Sequence, residues 1–132
     1  MSRSFLTSAA TVALVACSAT PQPRAALPTA SPRAEDSPVS CSIRTTPTRH
    51  GVLIEALADA HQPAAGEYQL IITKHGRGGS SDISQGGAFE AAAQSTLTLG
   101  SAEIGLDRGD RFHAVLTLSD AQGQICQEER QS

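Results

Sequence analysis

The chain has 132 residues, 39% of them hydrophobic and 17% charged, which supports one folded domain and excludes wholesale disorder. Its isoelectric point is near 5.7, it has no basic run, and only one tyrosine and three phenylalanines are available to stack on bases. No nucleic-acid partner is expected from such a chain, and the absence of tryptophan argues against a carbohydrate platform.

The first element in chain order is an export signal. Arg3 supplies a short positive region, and residues 5–16 form an apolar stretch too short to span a membrane. The stretch ends in "LVAC", with Leu14 at −3, Ala16 at −1 and Cys17 at +1. That ending resembles the bacterial lipobox, in which the cysteine is lipidated and becomes the new N-terminus. Ordinary cleavage nearby, discarding Cys17, is the alternative. Residues 1–17 are therefore read as a signal peptide, with Cys17 as the lipidation site and membrane tether. Ser18 at +2 favours outer-membrane retention, by resemblance to lipoproteins generally. Loss of Arg3 leaves nine Lys and Arg against thirteen Asp and Glu, a net charge of −4.

Residues 18–37, "SATPQPRAALPTASPRAEDS", hold four of the seven prolines and no periodic apolar face. This composition predicts an extended, disordered tether. The remaining residues, 38–132, form the predicted domain.

From Pro38 onward the apolar pattern has period two. "VSCSIR" sets Val39, Cys41 and Ile43 on one face, "HGVLIEALA" sets Val52, Ile54 and Ala56, and "EYQLIITK" sets Tyr68, Leu70 and Ile72. Further on, Leu97 and Leu99 are followed by Ala102, Ile104 and Leu106, which implies a shift at Gly100–Ser101. "RFHAVLTLSD" contributes Phe112, Ala114, Leu116 and Leu118, and a short strand surrounds Ile125. "GGAFEAAAQS" is too short for a stable helix and reads as strand plus turn. Strict alternation with Gly-, Pro- and Asp-rich punctuation predicts half-buried antiparallel strands, about seven in all. The fold class is all-β, an immunoglobulin-like β-sandwich.

Two cysteines remain in the domain, Cys41 in the first strand and Cys126 in the last. In an exported chain a disulfide between them is the default, since first and last strands often lie side by side in a sandwich. Closing a loop this long contributes on the order of 4–5 kcal/mol in the chain-entropy model. A redox role lacks the C-x-x-C spacing at a helix start that lowers a thiol pKa.

Catalytic, metal and cofactor signals are weak. His50, His61, His75 and His113 lack metal-ligand spacing and read as solvated surface. Ser80, Ser81 and Ser84 lack a G-x-S-x-G setting. "DRGD", Asp107 to Asp110, reads as a tight turn, with too few oxygen ligands for a calcium loop. In "KHGRGGSSDISQGGAF" the lysine precedes the glycines, and a strand-like segment follows them, so this is no phosphate loop. Gly76, Gly78 and Gly79 read as a strand connection, and Gly86 and Gly87 as a bulge or bend. The chain is expected not to be an enzyme and to hold no cofactor or metal.

The ordered set of features over residues 41–130 resembles the curli assembly inhibitor family, the CsgC/CsgH group, and is closer to the CsgH branch. The features are a strand ending in a basic residue before Gly76, a glycine–serine loop, "ISQGG" at 83–87, and "L-x-x-G-D-R" at 106–111. The resemblance implies a small periplasmic immunoglobulin-like sandwich. Family members hold an amyloidogenic curlin-type subunit soluble, as chaperone-like inhibitors that use no ATP. The CsgC branch has a C-x-C pair that would fall near Ala64 and Gly66, so no redox role carries over. Lys74, Arg77, Arg108 and Arg111 are the candidate client-binding residues, attracting an acidic client. The chain is expected to be a monomer with no deep pocket. A non-catalytic adaptor module of an envelope lipoprotein is the alternative function.

Overall fold

A computed structural model describes residues 37–132. The expected signal peptide, Cys17 and all of the expected linker but Ser37 lie outside the described residues. Seven strands follow in chain order: β1 (Val39–Pro47), β2 (Gly51–Ala60), β3 (Ala64–Gly76), β4 (Gly79–Ala91), β5 (Ser95–Gly105), β6 (Arg111–Asp120) and β7 (Gly123–Gln131). They form a three-stranded sheet of order β1-β2-β5 and a four-stranded sheet of order β4-β3-β6-β7. Every pairing is antiparallel. This is the expected all-β sandwich, with the fourth strand paired to β3 in place of β5.

The period-two pattern buries one face of each sheet against the other. Val39 and Ile43, Val52 and Ile54, Leu70 and Ile72, and Leu116 and Leu118 meet in the core, with Phe89, Ile104 and Phe112 near its margins. Buried alanines at 56, 58, 60 and 114 occupy the remaining inward positions of β2 and β6. "GGAFEAAAQS" is the end of β4 and a turn, as expected, and Gln94 adopts a φ of 58° in it.

Two local expectations are corrected. The register shift predicted at Gly100–Ser101 falls at Leu99, because Ala56 faces Gly100 while Leu57 faces Thr98. One extra residue there reverses the strand's parity, so Leu97 and Leu99 before it and Ala102 and Ile104 after it all pack on the core. Gly86 and Gly87, predicted to form a bulge or bend, keep an unbroken register with Gln69 and Tyr68. The space they leave is used sideways. A Cβ at Gly87 would stand 3.4 Å from the Tyr68 ring, and one at Gly100, in the other sheet, would stand equally near it.

Cys41 and Cys126 are bonded, with Cα atoms 6.2 Å apart. β1 and β7 lie side by side but share no hydrogen-bond ladder. They are outer strands of opposite sheets, so the bridge ties one sheet to the other. Both cysteines are half-buried and pack on the core.

Candidate functional site

The β1–β2 turn, the β3–β4 turn and the β5–β6 loop share one end of the sandwich. The Leu106 amide donates to the His50 carbonyl at 3.0 Å. In the β5–β6 loop the Asp110 amide donates to the Asp107 carbonyl at 3.0 Å. Between them Gly109 has φ 93°, the left-handed value that a type II turn requires at its third position. "DRGD" is thus the tight turn its sequence predicts.

The Asp110 side chain ties this loop to the β3–β4 hairpin. Its Oδ2 lies 2.9 Å from Lys74 Nζ, with the carboxylate fully buried and the lysine only 19% exposed. The same oxygen accepts the Asp107 amide at 3.1 Å. Gly76 faces the carboxylate so closely that a methyl group there would overlap it. The Lys74 hydrogen bond and then the Asp107 amide hold the Asp110 carboxyl below the usual aspartate range, against the opposing effect of burial. The basic residue before Gly76 and the "L-x-x-G-D-R" segment, 32 or more residues apart in the chain, are therefore two halves of one ion-paired lock.

The four cationic candidates divide accordingly. Lys74 spends its charge inside the protein. Arg77, Arg108 and Arg111 are exposed at this end, joined by the exposed Arg49 and His50. His75, opposite Arg111 in the ladder, is exposed as well. Among the described residues the other end of the sandwich has no lysine or arginine and bears Asp59, Glu67, Glu90 and Asp120 near its strand termini. His113, expected to be solvated, is only half-exposed, and its Nε2 lies 3.2 Å from Glu129 Oε2. Among the described residues no group of three metal-ligating side chains converges.

The four sheet edges differ in what guards them. β1 ends in Pro47 and is bridged to β7, which has a register shift and carries Glu128, Glu129 and Arg130. β5 carries the irregularity at Leu99. β4 has 13 residues in continuous register, without proline, lysine, arginine or bulge; its two charges, Asp82 and Glu90, lie toward its ends, and residues 83–89 between them carry none. Natural sheets block exposed edges by those devices. β4 also starts at Gly79, two residues after Arg77, so the least guarded edge begins at the basic end.

Beside this edge, on the outer face of the four-stranded sheet, is a shallow groove of about 410 Å³ lined by Glu67, Gln69, Ser84, Gly86, Thr117 and Ser119 among others. Sequence reading did not find it. It depends on the registers that set Gly86 beside Gln69 and Gln69 beside Thr117. Asp110 was also missed as an internal partner, because nothing local to "DRGD" shows that Lys74 reaches it.

Fold and site together define a small β-sandwich module with one open strand edge next to a cluster of arginines. The chain belongs to the CsgH family, whose model, described as "CsgH protein", matches residues 40–130. The chain is similar to the solution structure of CsgH from R. palustris, with 28% identity and a TM-score of 0.58 over 69% of this chain and 89% of that one. It also resembles the curli protein CsgC of E. coli in fold, with 20% identity and a TM-score of 0.60 over 70% of this chain and 96% of that one. No curated protein sequence matches significantly.

Proposed function

We propose that this protein is a periplasmic, non-enzymatic inhibitor of curli amyloid assembly, acting as a chaperone on an unfolded or nascent-β curlin-type subunit. Membership of the CsgH family and the likeness in fold to a curli protein support the curli connection. The observation that carries the mechanism is β4, a long edge in unbroken register with an uncharged middle, residues 83–89, that begins at the arginine-bearing loops.

An amyloid grows because each added strand finds unpaired N–H and C=O groups on the last one. A folded edge that pairs with the client's strand occupies those groups without offering a second growing surface. Arg77, Arg108 and Arg111 draw an acidic client to the start of that edge, which raises the encounter rate. Lys74 contributes by fixing the loops. Cys17 provides the lipid tether, and the module acts as a monomer.

The test is fibril formation by a purified curlin subunit, followed by thioflavin fluorescence. The protein is expected to lengthen the lag phase at well below equimolar ratio. An unchanged lag at equimolar protein would overturn the reading.

A further inference from the structure

Gly86 and Gly87 are neighbours on the edge strand, yet only one of them is covered. Gly87 faces the Tyr68 ring. Gly86 points to the outer face, where a Cβ would meet nothing but the Tyr68 carbonyl oxygen, at 3.1 Å. The groove runs inward from this notch along one cross-strand row, Gly86 to Gln69 to Thr117, with Glu67 and Ser119 in the adjacent row. Its walls supply a carboxylate, a carboxamide and hydroxyl groups.

We infer that the groove at Gly86 is a side-chain subsite for a strand added to β4, and that it takes a carboxamide, the side chain of glutamine or asparagine. The inference rests on the proposed pairing of a client with the β4 edge and specifies what that client must carry. An added strand lies about 4.8 Å from β4, and its residue opposite Gly86 puts its Cβ on the same face. With no side chain on Gly86, that residue reaches across the notch toward Gln69, about two strand spacings away. A glutamine spans this gap when it meets the Gln69 side chain halfway.

The chemistry selects among occupants. A carboxamide donates through its nitrogen and accepts through its oxygen, so it can donate to Glu67 while accepting from Gln69 or Thr117. An aliphatic side chain would displace water from those polar groups and give them no hydrogen-bond partner in return. A carboxylate would face Glu67 with like charge. A lysine would pair with Glu67 but has no acceptor for the donors. The chain already uses such a contact nearby, where Gln85 Nε2 donates to the Ser101 carbonyl at 2.9 Å.

The probe is a nine-residue Ser/Thr peptide with one central glutamine, titrated into the isotope-labelled protein and followed by amide chemical shifts. Shifts are expected at Gly86, Gly87, Gln69 and Thr117. Replacing the central glutamine by leucine, glutamate or lysine should weaken binding about tenfold. Thr117→Val and Gln69→Leu, each keeping wild-type unfolding behaviour, should abolish the preference for glutamine. Equal binding of the leucine or lysine peptide, or shifts confined to other strands, overturns the inference. The fibril assay separates the two ideas. If Thr117→Val and Gln69→Leu delay fibrils as well as the wild type does, the subsite falls and the proposed function stands. If the wild type binds the glutamine peptide at Gly86 but delays no fibrils, the function falls and the subsite stands.

Discussion

The two open sides of the sandwich are closed in different ways. On the β1–β7 side the sheets are joined covalently through Cys41 and Cys126. On the β4–β5 side they meet through the Tyr68 ring, set against Gly87 and Gly100, and through the Gln85 side chain on Ser101. On the covalent side β7 is both charged and shifted. On the non-covalent side β5 is shifted, but β4 keeps an unbroken register with seven uncharged residues, 83–89, between Asp82 and Glu90. A thin core with little aromatic content needs a staple somewhere. Placing it opposite the unguarded edge leaves that edge free to pair.

This contrast can be broken from either side. The largest effect should come from the staple. Cys41→Ser with Cys126→Ser, or reduction of the native protein, should lower stability by about 4 kcal/mol, since the unfolded chain regains the entropy of a long loop. Denaturant unfolding with and without reductant measures this. A loss below about 1 kcal/mol would mean that the bridge merely decorates an already stable sandwich.

Removing the aromatic seal should come next. Tyr68→Ala should cost about 2–3 kcal/mol, somewhat under the usual range for a fully buried aromatic, because Tyr68 is only half-buried. Tyr68→Phe keeps the ring and should cost under about 1 kcal/mol. Equal losses for the two variants would assign the role to the hydroxyl instead of the ring.

The Lys74–Asp110 lock is tested by acid. The folded-state pKa of Asp110 is depressed, so its contribution is fully present above the ordinary aspartate pKa. It is lost as pH falls through the lower, folded value. Asp110→Asn should therefore be less stable than wild type near neutrality, and the gap should close as pH drops below the usual carboxylate range. A gap independent of pH would remove the ion pair from the account. Urea midpoints measured across that range decide it.

The smallest effect on stability should come from the exposed arginines. Replacing Arg77, Arg108 and Arg111 by glutamate should change stability within about 0.5 kcal/mol per site. Fibril inhibition should nonetheless weaken several-fold and lose its dependence on salt. Inhibition unchanged at low ionic strength would show that charge plays no part at this end.

Much of the fold was legible because period-two burial is written locally. Phe112, Ala114, Leu116 and Leu118 alternate in the sequence and all face the core. The disulfide was legible from two cysteines in a chain read as exported, although its placement between sheets was not. The site was less legible. Arg77, Arg108 and Arg111 stood out as charges, but Lys74 looked the same as they did until Asp110 appeared beside it. Gly86 and Gly87 resembled a bend because a glycine pair carries no sign of what faces it. Tyr68 and the groove residues belong to other strands.

By itself the sequence determined the alternation, the turns and the acidic balance of the chain, since each depends on residues within a few positions of one another. Only the tertiary structure decided which strand edge is left unguarded, which cation is neutralised and where a groove opens. Those properties depend on pairings between strands far apart in the chain, and the registers of β3 with β4 and with β6 are fixed by the packing of both sheets at once.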